Sequence, residues 1–289
     1  MSKPINPLGN KVRHRISYLD YLEQEALSII EYAYTGLTDK PLGVLFSCGK
    51  DSCVVRHLVM RYLRNSNKPS AHPVCLSIDT GYNFEEVNDF LSKIPNCNIR
   101  YVQDSIDRGT VPYRAPGESR NADQAVTLKE AITEFQFAGL FCGARRDEDR
   151  ARAKERVFSH RDREGNWRPE RQRMEMYGYM TDLRLEEGEH FRIFPLSNWT
   201  EYDVWEYIAR HDVEIPSLYF AHQREGYPEG NVRFRTVGDR LVTRPVYSDA
   251  TSVQQILEEL ESVTLSERGA TRMDDTAMSM EQRKRNGYF

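Results

Sequence analysis

Short apolar runs alternate with amphipathic helical patterns along residues 41–142, and this alternation restricts the possible folds more than any other feature. Each apolar run has the length of one strand, and the segments between them have helical periodicity. Alternating strands and helices of this length predict a parallel sheet with helices on both faces. The predicted strands are Pro41–Phe46, Pro73–Ile78, Asn98–Val102 and Ala138–Cys142, and the predicted helices are Asp51–Leu63, Phe84–Leu91 and Gln124–Phe135.

The flanking segments extend this α/β prediction. Two Ser/Thr-x-x-Asp capping boxes mark the starts of further helices. In chain order we expect a helix from Ser17 to Gly36, a loop over 105–118, a strand over His190–Phe194, a helix from Thr200 to Ile208, an aperiodic stretch over 216–247 and a helix over 252–262. The prediction is a doubly wound parallel sheet domain over residues 1–215, followed by an irregular C-terminal extension over residues 216–289.

The composition and the cysteine spacing indicate the cellular compartment in which such a chain functions. No run approaches eighteen apolar residues, and the N-terminus lacks the basic-then-apolar layout of a signal peptide. The five cysteines are odd in number and form no C-x-x-C pair, which argues against a zinc ribbon or a disulfide framework. We therefore expect a cytosolic protein with no membrane partner.

The segment Ser47-Cys-Gly-Lys-Asp-Ser52, called the phosphate loop below, joins the first predicted strand to the helix that follows. Backbone N–H groups in such a turn converge on an anion, and the helix dipole adds positive potential. The hydroxyls of Ser47 and Ser52 can donate to phosphate, and Lys50 supplies a point charge. Asp51 can either hold magnesium or complement the helix dipole. The loop therefore predicts a nucleotide site.

The spacing of the glycines excludes one large class of nucleotide-binding loops. A Walker A motif has four residues between its first glycine and Gly-Lys-[Ser/Thr]. Here Gly43 and Gly49 are separated by five residues, and Asp51 follows the lysine. The segment instead resembles the S-G-G-x-D-S loop of the PP-loop ATP pyrophosphatases, with Cys48 in place of the first glycine.

Residues 145–173, called the arginine-rich segment below, place a basic stretch in a chain of formal net charge −4. A basic cluster in an acidic chain indicates an anionic partner such as phosphate, sulfate or nucleic acid. Because acidic residues are interleaved, a solvated helix with i,i+4 ion pairs is the alternative. In a helix, Arg150, Lys154 and Arg156 would recur along one face.

Several longer motifs, taken in order, resemble the small catalytic subunit of bacterial sulfate adenylyltransferase, a member of the PAPS reductase and PP-loop ATP pyrophosphatase superfamily. The resemblance runs from Tyr18 to Phe289. Beside the phosphate loop, it rests on the segments Ile78–Glu86, Gly143–Arg156, Phe194–Trp205, Val232–Gly238 and Ser279–Phe289. It implies the PP-loop (adenine nucleotide alpha hydrolase-like) type of fold.

The resemblance also implies a reaction. A sulfate oxygen attacks the α-phosphorus of ATP, giving adenosine 5′-phosphosulfate and pyrophosphate, with Mg²⁺ as cofactor. The residues expected in the site are Arg145, Arg146, Lys50 and Asp51 for catalysis; Ser47, Cys48, Gly49, Lys50, Asp51 and Ser52 for ATP and pyrophosphate; Ile78, Asp79, Thr80 and Gly81 on the adenosine side; Arg150, Lys154, Arg156, Arg233 and Arg235 as further anion ligands; and Asp51 and Asp79 for Mg²⁺.

In the family the small subunit works with a larger GTPase, so the resemblance implies a heteromer, and residues 279–289 could dock on that partner or close over the site. The segment between Tyr219 and Val232 is shorter than is usual in the family, and residues 239–246 depart from its pattern. A related enzyme that adenylylates another acceptor, in nucleic acid or a specialised metabolite, is therefore an alternative, and a non-catalytic nucleotide- or RNA-binding adaptor is another. Nucleic acid is not the expected partner, and a reductase with a nucleophilic C-terminal cysteine is disfavoured because no cysteine follows Cys142.

Overall fold

The computed structural model describes residues 17–66, 72–148 and 150–261. Its strands and helices follow the predicted order closely, with bounds that differ by a few residues. The strands are β1 (Leu42–Leu45), β2 (Val74–Asp79), β3 (Cys97–Tyr101), β4 (Gly139–Phe141), β5 (Phe158–Arg161), β6 (His190–Ile193), β7 (Val232–Arg233) and β8 (Val246–Tyr247). The helices are α1 (Tyr18–Gly36), α2 (Lys50–Asn65), α3 (Glu85–Ser92), α4 (Val102–Asp107), α5 (Gln124–Phe135), α6 (Arg150–Ala153), α7 (Glu201–His211) and α8 (Val253–Glu261).

Six strands form one sheet in the order β3-β2-β1-β4-β6-β5. The first five of these pair in parallel, which confirms the predicted doubly wound sheet, whereas β5 pairs antiparallel with β6 at the edge. The chain builds outward from β1 through β2 to β3 and then crosses to β4 on the other side of β1. The carboxyl ends of β1 and β4 therefore form the topological switch point, where ligands bind in folds of this type.

Alternate residues of the central strands enter two separate cores. Val44 packs in the larger core with α1, α2 and α7, whereas its neighbour Leu45 packs in the smaller core with α5. On β4 the same alternation sends Phe141 to the larger core and Leu140 to the smaller one. Helices thus cover both faces, as the period-2 exposure of strand side chains requires.

Both predicted capping boxes are present. Ser17 caps α1 and receives the amide of Asp20, and Thr200 caps α7 in the same way with Asp203. Three predictions were incomplete. No strand was predicted at β5. The predicted loop over 105–118 begins later, because α4 extends to Asp107. The aperiodic stretch 216–247 contains β7 and β8, which pair as a two-stranded antiparallel ribbon.

The C-terminal part packs on the same large core as the sheet domain. Leu218, Phe234 and Ile256 belong to the cluster that contains Val44 and Leu58. The proposed domain boundary at residue 215 stays a prediction. Within the described ranges, no helix is long and apolar enough to cross a membrane.

Candidate active site

A cleft of about 1120 Å³, part of it open to solvent, lies at the carboxyl ends of β1, β2 and β4. Ser47 after β1 and Ile78 near the end of β2 line it, together with residues 236–239 from the C-terminal part. The amide of Arg240 donates to the carbonyl oxygen of Tyr82 at 3.0 Å and ties that C-terminal segment to the loop after β2. The cleft therefore lies at the switch point, with a wall that the C-terminal part completes.

The phosphate loop turns sharply at Cys48. Its φ of 61° lies in the left-handed region, and its side chain is fully buried in the larger core. A β-carbon in this conformation costs about 1–2 kcal/mol, a cost that glycine avoids. This geometry explains why related loops have glycine at this position, and the buried thiol packs where glycine would leave a space.

Gly143, the second residue after β4, lets two chain segments approach closely beside the loop. A β-carbon built on Gly143 would lie 2.8 Å from the carbonyl carbon of Asp51 and 2.9 Å from the amide nitrogen of Ser52. Real β-carbons essentially never approach backbone atoms so closely. The end of β4 can therefore lie against the first turn of α2 only with glycine at this position.

The first turn of α2 directs polar groups at the cleft. The hydroxyl of Ser52 donates to the carbonyl of Gly49 at 2.8 Å, and the amide of Gly49 lies 3.4 Å from the hydroxyl oxygen of Ser47. The amide of Lys50 donates to the hydroxyl of Tyr219 at 2.8 Å. Tyr219 also lines the cleft, so the C-terminal part contributes a side chain beside the phosphate loop.

Lys50, Asp51 and Arg145 form one charged cluster at the base of the loop. Lys50 is fully buried, and its Nζ lies 3.3 Å from Oδ2 of Asp51. The guanidinium of Arg145, which is 1% exposed, donates to Oδ1 of Asp51 and, at 3.0 Å, to Asp147. Asp51 lines the cleft, whereas Lys50 and Arg145 lie behind it. The two cations therefore affect the electrostatic potential in the cleft from behind the Asp51 carboxylate.

The side chain of Arg146 contacts residues that do not line the cleft. Its guanidinium donates to Oδ1 of Asn198 at 2.6 Å and lies 3.9 Å from Glu175. Asn198 in turn donates to Glu25 of α1 at 2.9 Å. Arg146 does not line the cleft in this structure, so its expected catalytic role has no geometric support here.

Arg152, which the sequence reasoning missed, does line the cleft. Its guanidinium lies 2.7 Å from Oε2 of Glu148, and both side chains are 9% exposed. Glu148 also lines the cleft and accepts the amide of Arg145 at 2.9 Å. The i,i+4 spacing of Glu148 and Arg152 inside the motif that starts at Gly143 was the available signal.

The expectation that Arg150, Lys154 and Arg156 share one helical face was wrong. The helix α6 covers only Arg150–Ala153, and the side chain of Arg150 lies outside the described part of the structure. The amides of Arg156 and Val157 donate to side chains of Gln172 and Glu175, at 3.2 and 2.7 Å. Side-chain acceptors thus replace the helical carbonyls, and the chain leaves the helix.

Lys154 and Arg156 are exposed and do not line the cleft. The guanidinium of Arg156 lies 3.6 Å from Glu175. Arg233 and Arg235, which were expected to be further anion ligands, do not lie on one strand, because β7 ends at Arg233. Arg233 donates to Glu259 of α8 at 2.8 Å, and Arg235 donates to Glu201 of α7 at 2.6 Å. These two arginines join the C-terminal part to helices, and neither lines the cleft.

The segment Ile78–Gly81 spans the end of β2 and the turn after it, at the other end of the cleft. Ile78 and Thr80 line the cleft, whereas Asp79 and Gly81 do not. The carboxylate of Asp79 accepts the amide of Gly81 at 2.7 Å and holds the turn. Burial raises the pKa of Asp79, and the Gly81 hydrogen bond offsets this only in part.

The carboxylates present do not fit a preformed magnesium site. Both oxygens of Asp51 already contact cations, and Asp79 lies off the cleft wall. In the described ranges no three His, Cys, Asp or Glu side chains form a metal-binding group. Because magnesium is commonly held by one or two carboxylates together with substrate phosphates, a metal ion that arrives bound to a nucleotide needs no such group.

Residues 41–245 match the phosphoadenosine phosphosulfate reductase domain family. Curated relatives cover the chain almost completely. The chain is 42% identical to sulfate adenylyltransferase subunit 2 of Streptomyces lavendulae, with 97% of this chain and 95% of the relative aligned. It is 43% identical to sulfate adenylyltransferase subunit 2 of Mycobacterium tuberculosis, with 96% of each aligned. The first alignment spans 309 positions, more than the 289 residues of this chain, so the relative has residues that this chain lacks.

A solved structure supports the fold. The crystal structure of Candida glabrata FMN adenylyltransferase in complex with FMN and the ATP analogue AMPCPP superposes with a TM-score of 0.54. That match covers 83% of this chain and 70% of the other, at 14% sequence identity. At this identity the likeness concerns the architecture of the sheet and its helices.

Proposed function

The chain belongs to the phosphoadenosine phosphosulfate reductase domain family and, within it, to sulfate adenylyltransferase subunit 2, and on this premise we propose that its cleft transfers the adenylyl group of ATP to sulfate. Because the chain belongs to this family, the pathway step in which it takes part is sulfate activation. A sulfate oxygen forms a bond to the α-phosphorus, the bond from that phosphorus to the bridging oxygen of the β-phosphate breaks, and the electron pair leaves with pyrophosphate. No proton needs to move in this step.

The arrangement at the first turn of α2 is the observation that carries the proposal. Ser47, Gly49 and Ser52 face the cleft at the N-terminus of a 16-residue helix. Hydroxyls, backbone amides and the helix dipole together favour a polyanion at this point. We assign the β- and γ-phosphates of ATP to the phosphate loop, so that its donors stabilise the negative charge that develops on pyrophosphate as it leaves.

The charged cluster of Lys50, Asp51 and Arg145 would hold the phosphate loop in position for the nucleotide. Asp51 is only 19% exposed and contacts both Lys50 and Arg145, so its charge is compensated before the nucleotide enters. Of the three groups, the Asp51 carboxylate faces the cleft, and the two cations behind it offset its repulsion of the phosphates. We therefore give Lys50 and Arg145 an electrostatic role and Asp51 the role of orienting them. Arg146, which contacts Asn198, has no part in this mechanism.

The adenosine is proposed to lie toward β2, against Ile78 and Thr80. Magnesium would enter as the complex of ATP with the metal, held by the phosphates, and the mechanism routes no step through a protein-bound ion. The relatives are named as subunit 2, so the enzyme has more than one subunit. We propose that the other subunit is a GTPase whose hydrolysis of GTP drives formation of the sulfate–phosphate anhydride, and that the complex works in the cytosol.

The reverse reaction tests this proposal because it runs downhill. The full chain, alone and together with the GTPase subunit, is mixed with adenosine 5′-phosphosulfate, magnesium and pyrophosphate, and ATP is read by luminescence. We expect ATP from the wild-type protein and a loss of at least 100-fold with Asp51→Ala, because removing one group that aligns charge in a site of this kind typically costs about that much. If no ATP forms while ATP binding is intact, the acceptor is not sulfate.

A further inference from the structure

The lining of the cleft differs between its two ends. Toward β2 it consists of uncharged side chains such as Ile78, Thr80 and Asn83, whereas toward β4 it contains Glu148 and Arg152. Among the described cleft-lining residues, Arg152 is the one lysine or arginine. The phosphate loop follows β1, which lies between β2 and β4 in the sheet. The end of the cleft that contains Arg152 is therefore separated from the proposed adenosine end by the phosphate loop.

The guanidinium of Arg152 forms an ion pair with Glu148 at the β4 end of the cleft. Its contact with Glu148 is 2.7 Å long, and with both side chains 9% exposed the pair is largely shielded from solvent. The other carboxylate oxygen of Glu148 accepts the backbone amide of Arg145, so Glu148 links Arg152 to the chain that follows β4. A guanidinium carries five N–H donors in a planar fork, so it can contact a carboxylate and a tetrahedral oxyanion together.

Two further guanidiniums lie buried behind this end of the cleft. Arg192 of β6 and Arg161 of β5 are each 1% exposed, and the carboxylate of Glu155 pairs with Arg161 at 2.5 Å. Burial raises the pKa of Cys142, which lines the cleft; Arg192 and Arg161 oppose this, and Glu155 adds to it. The positive charge of the two arginines therefore reaches the cleft wall at Cys142, where Glu155 offsets part of it.

We propose that Arg152 binds the acceptor oxyanion, sulfate, at the β4 end of the cleft, with Glu148 as its positioning residue. This inference rests on the proposed adenylyl transfer and assigns its acceptor subsite. Sulfate is a dianion and must approach a polyphosphate that is itself negative, so a cation beside the acceptor lowers the repulsion between them. Arginine matches two oxygens of sulfate at once, which also orients the attacking oxygen.

The test separates the two substrates kinetically. Arg152→Ala, Arg152→Lys and the control Arg163→Ala are assayed as the complex with the other subunit, in the forward direction, with a pyrophosphatase to remove product. Arg163 belongs to the same segment but is 62% exposed and pairs with Glu186 at the surface. We expect Arg152→Ala to raise the KM for sulfate about 10- to 100-fold, or about 1.4–2.8 kcal/mol at 1.4 kcal/mol per tenfold change. The KM for ATP should change less than threefold, and lysine should restore part of the loss.

The other outcomes are informative as well. If the KM for ATP rises instead, Arg152 is a nucleotide ligand, and if neither constant changes, it binds no substrate; both results overturn the inference while the proposed function stands. An inactive wild-type complex would sink the proposed function itself. If Arg152→Ala does not fold, Arg152→Lys with Glu148→Gln carries the test, because both leave the side chain nearly the same size and must still raise the KM for sulfate selectively.

Discussion

The phosphate loop and the arginine-rich segment both bring charge to the cleft, but they are positioned by different forces. Ser47–Ser52 begins just after the end of β1 and runs into the first turn of α2, so its placement follows from these two elements. The arginines of residues 145–173 are placed one at a time by distant or separate carboxylates, such as Asp51 for Arg145 and Glu186 for Arg163. Local sequence therefore determines where the loop lies, whereas the carboxylate with which each arginine pairs determines where its side chain lies.

Replacing arginines within the segment should give the largest contrast. Arg145→Ala removes a cation that is 1% exposed and leaves Asp51 and Asp147 without it, so we expect the free energy of unfolding to fall by about 3 kcal/mol. Arg163→Ala breaks an exposed pair and should change it by less than about 0.5 kcal/mol. Urea unfolding of both variants checks this. Equal losses would contradict the view that ion pairs sort these arginines by burial.

The loop side of the comparison depends on close backbone packing. Gly143→Ala places a β-carbon 2.8 Å from the backbone of Asp51 and must displace the first turn of α2. We expect about 1–3 kcal/mol of destabilisation, typical of overpacking, and about tenfold weaker ATP binding by calorimetry. Gly230→Ala is the matched control, because its β-carbon would meet only Tyr247, at an ordinary 3.8 Å. Unchanged ATP affinity in Gly143→Ala would show that the loop tolerates this displacement.

A finer test concerns the left-handed residue of the loop. Cys48→Ala and Cys48→Gly both remove the buried thiol, but only glycine relieves the backbone at a φ of 61°. We expect the glycine variant to be about 1 kcal/mol more stable than the alanine variant, the reverse of the order seen in helices and strands. Thermal unfolding of the pair decides the matter, and a more stable alanine variant would mean that the turn carries no strain.

The smallest effects concern the thiols on the two sides of the cleft. Burial raises the pKa of Cys48 and Cys53 beside the loop and raises that of Cys142, beside the arginines, to about 11. Because thiols of the unfolded chain ionise near 9.0 and the folded ones stay protonated, the unfolded state binds fewer protons above pH 9. Stability should therefore fall as the pH rises from about 9 to about 11, which unfolding at a series of pH values checks.

The reactivity of these three thiols at neutral pH should also reflect their raised pKa values. With their pKa values raised, these thiols are almost entirely neutral at pH 7.5, and the neutral thiol is a poor nucleophile. Iodoacetamide at that pH should leave activity unchanged in the native protein. Rapid inactivation that ATP prevents would mean that a cysteine thiolate lies in the cleft and would weaken the electrostatic mechanism.

The parts of the fold that the sequence predicted are those with regular patterns. The Ser17 and Thr200 capping boxes and the apolar strands were found because their signals are local. The edge strand β5 was missed because Ser159 and Arg161 are buried and polar, so the strand lacks an apolar alternation. Its hydrogen bonds to Glu155 stabilise these side chains, and no short-range pattern reveals them.

The same distinction applies to the candidate site. The phosphate loop was recognised from six consecutive residues, and its place at the end of β1 was confirmed. Arg152 and Tyr219 were not singled out, although both line the cleft. Arg152 is one of many arginines in its segment, and its ion pair with Glu148 is what distinguishes it. Tyr219 accepts the amide of Lys50, from which it is separated by 169 positions in the sequence. The Tyr219 contact depends on the tertiary fold and leaves no spacing in the sequence, whereas the i,i+4 spacing of Glu148 and Arg152 was present in it.

Exchange of labelled pyrophosphate into ATP tests the central claim most directly. The wild-type complex is incubated with ATP, magnesium and labelled pyrophosphate, with and without sulfate, and label in ATP is counted. If sulfate itself attacks the α-phosphorus at this cleft, label enters ATP only when sulfate is present, and Asp51→Ala abolishes it. Exchange that proceeds equally well without sulfate would contradict the account, because the adenylyl group would then be passing to a group other than sulfate.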